Sequence, residues 1–263
     1  MNKPLVSVIM PVYNTKQFVW EAIESILNQT FKEFEFIIVD DCSTDWSYEI
    51  CQDYAKKDKR IRLYRNEKNW WVAYTKNRLI GLTTTDYLAS QDSDDVSFLN
   101  RLELEYKFLE GHKAYAVVWW NNIIIDEEWK VIGHRKYSDD IKNVILKKSP
   151  VSHPTTMMRK SNFQAVWWYS QVKYVEDYDL RIKLYSEWYK IKNIDKDLLK
   201  YRIRKWAQKS NVKETIRWTL NCQQKAYSKI KPSFSDRIYH ICLKLLTLLP
   251  NKWIMALFKL LTY

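Results

Sequence analysis

The chain has 263 residues, 46% hydrophobic and 28% charged, which suits one large globular domain, or one domain with an appendage, and excludes an intrinsically disordered chain. No apolar run reaches the roughly 18 residues of a membrane span, and the apolar start VSVIM is strand-sized and ends at Pro11, so cytoplasmic residence is the expectation. The net charge of +12 is carried wholly by residues 196–263, where 15 basic residues face only Asp197, Glu214 and Asp236, implying a neutral body and a basic tail suited to an anionic surface.

LVSVIMPVY is β-branched and apolar and reads as a buried strand. Residues 16–29 place Phe18, Val19, Ala22, Ile23 and Ile26 at helical spacing. EFEFIIVD is a second strand running into Asp40 and Asp41, and the turn DCSTDWS offers Ser43, Thr44 and Asp45 as caps for the helix SYEICQDYAKK. IRLYRN is a third strand, VAYTKNRLIGL a helix, and DYLASQD a fourth strand ending in Asp92-Ser93-Asp94-Asp95. This alternation predicts an α/β fold with a mixed, mostly parallel sheet flanked by helices.

Beyond it the pattern predicts a helix over 98–110, strands in YAVVWWNNIII and VIGH joined by a turn, HPTTMMRK as strand into turn, and a helix over 176–187. YKIKNID and LLKYRIR read as two further strands, and the tail from about 206 as basic and helical, its end rich in leucine spaced by lysine. Division into a domain over 1–205 and a helical region over 206–263 follows. Cys42, Cys51, Cys222 and Cys242 show neither CxxC spacing nor a histidine at zinc spacing and read as free thiols.

In open α/β sheets, ligands bind beyond the carboxyl ends of the strands. Three strand ends here carry polar groups: Pro11-Val12-Tyr13-Asn14, Asp40-Asp41 and Asp92 to Asp95. Asp41 and Asp45 are equally well read as helix caps. Three carboxylates in four residues repel one another unless a cation sits among them, and hard oxygen ligands suit Mg²⁺ or Mn²⁺ shared with substrate phosphates. No Walker A or GxGxxG loop is present, so a P-loop or dinucleotide site has no support. The plain reading of Glu176-Asp177 is a pair of acids at a helix N-terminus, matching its macrodipole. His153 reads first as an ordinary core or turn histidine.

VSVIMPVYN, ESILNQTF, FIIVDDCSTD, DYLASQDSDD, HPTTMMRK and VEDYDLRIKL, in this order and spacing, resemble family-2 glycosyltransferases of the GT-A fold, over about residues 4 to 205. The resemblance implies an inverting, metal-dependent transferase with a nucleotide-sugar donor, UDP-linked for preference, and a glycan or lipid-linked acceptor in surface glycan synthesis. By position it implies that Pro11, Val12 and Tyr13 line the base pocket and that Asp40 reads the base. Asp92 and Asp94 match the DxD motif around Ser93, Asp94 as ligand of Mn²⁺ or Mg²⁺. Lys76, Asn77 and Glu176 fall in the donor site, and Asp177 matches the catalytic base. Three positions depart from the family pattern: Lys76 stands where arginine is usual, keeping charge but losing bidentate geometry; Gln91 replaces an apolar strand residue; Cys42 replaces a frequent glycine. A nucleotidyltransferase, or a homologue that binds without catalysis, is the alternative. Nucleic acid is not an expected partner, because the tail alternates leucine with lysine instead of interleaving aromatics with arginine. Such a tail fits either a helix packed on the domain or one lying on anionic lipid at the inner face of the cell membrane.

The tryptophan content needs its own account. There are 3 glycines and 13 tryptophans, where a chain of this length ordinarily holds about 18 glycines. Trp46, Trp70, Trp71, Trp119, Trp120, Trp129, Trp167, Trp168 and Trp188 fall where related sequences or turn chemistry favour glycine. Trp20 and Trp206 fit the same pattern less closely, and Trp218 and Trp253 carry no such signal. Sugar-stacking platforms would not occupy every turn, and membrane-touching tryptophans would not lie on all sides of the fold. A UGA codon read as glycine by the source cell, but translated as tryptophan, gives both counts one cause.

Overall fold

The computed structural model describes residues 3–147, 149, 151–166, 168–170, 174–204 and 212–254. Its first half is built as the alternation dictates: β1 (Val6–Val12), α1 (Val19–Leu27), β2 (Phe34–Asp40), α2 (Ser47–Lys57), β3 (Ile61–Arg65), α3 (Val72–Gly81) and β4 (Tyr87–Ser90). β1 pairs in parallel with β2 and β4, and β2 with β3. β2 is buried at every position and β1 at all but Pro11, which explains their near-continuous apolar runs: strands covered on both faces need no polar alternation.

The second half is more antiparallel than expected. After β5 (Val96–Ser97) and α4 (Arg101–Gly111) come the hairpin β6 (Tyr115–Ile125) and β7 (Val131–Arg135), then α5 (Ile141–Val144), β8 (Met157–Arg159), α6 (Lys160–Ala165), α7 (Glu176–Ser186) and β9 (Lys190–Arg202). The strand order is β3-β2-β1-β4-β8-β6-β9-β5, with β7 on β6. β8 runs antiparallel to β4 and β6, β5 antiparallel to β9, and β6 parallel to β9. One helical layer (α1, α2, α4) packs on side chains such as Val8, Met10, Phe36 and Ile38, and α3, α6 and α7 cover the other face through Ile9, Ile37, Val39 and Leu88.

Several boundaries differ from the sequence reading. α1 starts at Val19 because a turn from Thr15 precedes it, with the Phe18 N–H on the Thr15 carbonyl at 2.8 Å. HPTTMMRK is a 3₁₀ turn at His153–Thr155 followed by the short β8. The two strands expected over 190–202 are one strand whose register against β6 shifts twice between Trp120 and Asn122. α2 has Trp46 as its cap residue with no side-chain cap; Asp45 instead receives the Ser47 N–H at 3.1 Å. In the tail, α8 (Val212–Ala226) lays Cys222 and Ala226 into the main core, and α9 (Phe234–Leu246) packs on α8 through Leu243.

Candidate functional site

β1 is flanked by β2 on one side and β4 on the other, so the crevice beyond their carboxyl ends is the switch point of the sheet, where ligands of open α/β folds bind. A cavity of about 790 Å³ lies there, walled by Pro11, Val12, Tyr13 and Thr15 after β1, Asp41 after β2, Asp92, Ser93 and Asp94 after β4, and Arg204 after β9. A second cavity, about 580 Å³, is lined by Lys76, His153, Glu176 and Asp177. Asp92 and Tyr201 belong to both walls, so the two spaces meet at the first carboxylate of the Asp-Ser-Asp-Asp run.

Asp41, not Asp40, faces the first cavity. Its Oδ1 accepts from Asn66 Nδ2 at 2.6 Å and from the Trp70 N–H at 3.0 Å. Asp40 lies behind it, fully buried, holding the Ser43 N–H at 3.0 Å and paired with Arg65 Nε at 3.2 Å. Burial raises the pKa of Asp40 against the Ser43 hydrogen bonds and the Arg65 charge, and its Oδ1 has no partner. Parallel pairing of β2 with β1 and β3 turns that side chain under the sheet end; a period-two alternation puts the next residue on the open side.

The carboxylate run divides its labour. Asp94 Oδ2 pairs with Arg204 Nε at 2.7 Å. Asp95 is buried and accepts the Arg202 N–H at 2.8 Å, tying the loop to the end of β9. Arg202 also donates to the Asp94 carbonyl at 3.0 Å and pairs with Glu21. All three acids have raised pKa values, in each case chiefly through burial. Asp92 reaches about 6, where Lys76 opposes the rise and Asp94, Glu176 and Asp177 add to it. A set of carboxylates that resists ionisation is a set that gains from a cation.

Asp177 sits in the first turn of α7, set there by Val175, a β-branched residue held in the left-handed region at φ 57°. Burial and the neighbouring Glu176 raise its pKa, while Lys76 and Arg181 pull it down. Glu176 is buried against Lys76 Nζ at 2.6 Å. Burial disfavours the charged ammonium, but Glu176 outweighs it and the Lys76 pKa is raised, so the ammonium keeps its charge. Asn77 lies on neither cavity wall: its amide grips the backbone of Tyr169, Nδ2 on the carbonyl at 2.9 Å and Oδ1 on the N–H at 3.0 Å. His153 is buried, with Nε2 at 3.2 Å from the Tyr169 hydroxyl and Nδ1 at 3.3 Å from Arg181. Burial together with Lys76, Arg181 and Arg101 pushes its pKa well down, so it is neutral.

Sequence reasoning missed Tyr201, Arg202 and Arg204, because the end of a late strand carries no motif; its signal was a pair of arginines spaced by one residue where β9 stops. Trp70 and Trp71 stand on the first cavity's wall, Trp70 stacked on Tyr74 with ring centres 4.7 Å apart.

Among the described residues no group of three or more His, Cys, Asp or Glu side chains forms a ready metal cage. The donor set still fits a hard cation. Mg²⁺ and its relatives take one or two carboxylates and complete their shell with substrate phosphates and water, and Asp94 already holds a positive group, Arg204, at the cavity wall.

Residues 7–167 match glycosyl transferase family 2. The chain is 38% identical over 204 residues to EpsE of Bacillus subtilis (strain 168), covering 76% of this chain and 73% of that one. Among solved structures it is similar to S. aureus TarS 1-349 in complex with UDP-GlcNAc, with a TM-score of 0.71, 21% identity, and 88% of this chain and 68% of that one covered. It is also similar to the mannosyltransferase PcManGT from Pyrobaculum calidifontis in complex with GDP-Man and Mn²⁺, with a TM-score of 0.65, 15% identity, and 97% and 85% covered. Both structural likenesses concern the fold. With the matched family spanning the switch-point cleft and its carboxylates, the chain belongs to glycosyltransferase family 2.

Proposed function

We propose that this enzyme moves a sugar from a UDP-linked donor to a hydroxyl of a glycan or lipid-linked acceptor, with inversion at the anomeric carbon. The observation that carries the reading is the meeting of two cavities at Asp92 and Tyr201, one with Asp41, Asp92 and Asp94 on its wall and the other with Asp177. The larger cavity takes the nucleotide: Pro11, Val12 and Tyr13 flank the base, and Asp41, with Oδ1 already held by Asn66 and Trp70, keeps Oδ2 for a base N–H. This assigns base reading to Asp41, with Asp40 as the buried support behind it. The smaller cavity takes the acceptor.

Asp177 removes the acceptor proton as the oxygen attacks the anomeric carbon, and the bond from that carbon to the diphosphate oxygen breaks. A hydroxyl is a poor nucleophile, so general-base assistance of about 10²–10⁴-fold is the expected share of this one residue. One base on the face opposite the leaving group gives inversion. Asp94, with support from Asp92, would hold Mn²⁺ or Mg²⁺, which when bound would neutralise charge at the diphosphate. Arg204, paired with Asp94 at the same cavity wall, adds positive charge on the diphosphate side. Lys76 holds Glu176 at the head of α7 and so fixes Asp177 beside it.

The test uses Asp177→Asn and Asp94→Ala. Asp177→Asn should retain donor binding by calorimetry while transfer falls by about 10²–10⁴-fold; Asp94→Ala should lose metal-dependent donor binding. An Asp177→Asn enzyme with undiminished transfer, or a product with retained anomeric configuration by NMR, removes this mechanism.

A further inference from the structure

α9 has one face turned to the body and an apolar face turned away from it. Asp236, His240 and Leu243 are buried against the body. On the far side Phe234, Ile238, Ile241 and Leu245, with Leu248 just past the helix, are exposed, by as much as 80% at Phe234 and 77% at Leu248. At 3.6 residues per turn these five lie within about 80° of one another and form one stripe along the helix. Arg237 and Lys244 flank one edge and are exposed, as are Lys231 and Lys252 beyond the two ends. The one acid of the helix, Asp236, is turned inward, closing a capping box with Ser233 and lying 3.5 Å from Lys147.

We propose that this stripe is a docking face for an anionic phospholipid bilayer, the side chains entering the acyl boundary and the flanking cations meeting the headgroups. The 4-3-4-3 spacing of the stripe would also suit a coiled-coil seam with a second copy. Charge decides against that partner: a copy would bring the same cations with no outward acid to pair with them, whereas an anionic surface complements them. The inference does not depend on the identity of the sugar, the acceptor or the catalytic base.

The test is flotation of the full chain with phosphatidylcholine vesicles, with and without phosphatidylglycerol, beside an Ile241→Glu/Leu245→Glu variant whose thermal unfolding is checked to be unchanged. The expected result is binding to the phosphatidylglycerol vesicles, weakened at least about tenfold in the variant and by high salt. Wild-type protein that floats with neither vesicle overturns the proposal, as does a variant that floats equally well. So does a wild-type dimer in sedimentation velocity that the two substitutions convert to monomer.

A different observation carries a second inference. Among the described residues seven have φ in the left-handed region, and four of them are tryptophans: Trp46 at 73°, Trp129 at 68°, Trp168 at 66° and Trp188 at 62°. None of the three glycines adopts a positive φ. That is the reverse of the ordinary distribution, since a bulky residue there is a steric outlier and glycine is the residue that such positions select. Trp46 and Trp188 are 67% and 86% exposed, so packing of the ring does not compensate. Trp119 and Trp120 are buried in β6 with indole nitrogens that find no acceptor, a poor site for tryptophan on other grounds. Trp167 and Trp206 lie outside the described residues.

We infer that the source cell reads UGA as glycine, and that glycine stands at Trp46, Trp129, Trp168 and Trp188, and at Trp70 and Trp71 on the donor cavity, in the protein it makes. The cleft wall after β3 is then bare backbone rather than two indoles. Sequencing the gene should show TGA at these positions, and tryptic peptides from the source cell should carry the glycine masses. TGG at the four left-handed positions, or tryptophan in those peptides, overturns the inference.

Discussion

The acid at the head of α7 draws its reactivity from its surroundings. A carboxyl buried beside Glu176 holds its proton above the ordinary range near 4, while Lys76 and Arg181 keep the rise from running further. The sign follows directly. Below the raised pKa Asp177 is protonated and cannot accept the acceptor's proton; as pH rises through it the base form appears. The acid limb of kcat/KM should therefore lie above the usual carboxylate range, and Lys76→Met should move it higher still, because a neutralising charge is lost. A pH–rate profile of both proteins checks this; a limb near 4 in each would assign the base elsewhere. The same single-residue view explains where the motif was legible and where it misled. Asp92, Asp94 and Asp177 lie where their motifs put them, at a strand end and a helix start on the cavity walls. Asp40 and Asp41 were not separable, since adjacent residues differ only in which side of the sheet they face, and pairing decides that.

Elements show a parallel division. The β-α alternation through β4 follows from apolar periodicity alone, as each helix has one face to bury and each strand is covered twice. The later strands obey longer-range rules. β9 was read as two because the polar residues Asn193, Asp195 and Lys196 interrupt the apolar pattern, yet Asn193 is buried, and Asp195 and Lys196 are exposed where the register against β6 slips. Asn77, placed in the donor site by the family resemblance, lines neither cavity and connects elements: α3 uses it to hold the chain ahead of α7. Asn77→Ala removes both hydrogen bonds and strands a partly buried amide pair. It should cost about 1–3 kcal/mol in urea unfolding, and raise KM through Tyr169 and His153 more than it lowers kcat. An effect on kcat alone would return Asn77 to the reacting centre.

The whole molecule is divided less sharply than its charge. Composition separates a neutral body from a basic tail near residue 205, but α8 contributes Cys222 and Ala226 to the body's core, and Cys222 Sγ lies 3.7 Å from Asp179 on α7. α9 is attached more lightly, through Gln223–His240 and Lys147–Asp236. Truncation after residue 231 should leave one cooperative thermal transition with a modest fall in Tm. Truncation after residue 205 should uncover the back of α7 and lower Tm much further. Equal losses from the two truncations would show α9, not α8, to be the essential cover.

Arg202 reaches back across 107 residues to Asp95 and across 181 to Glu21. β9 enters the sheet between β6 and β5, the latter only two residues long and paired with it. During synthesis, then, the carboxylate loop after β4 emerges long before the strand that anchors it. Contacts of such separation form late and slowly, so a nascent chain stalled anywhere short of residue 202 carries the complete Asp-Ser-Asp-Asp run without its anchor.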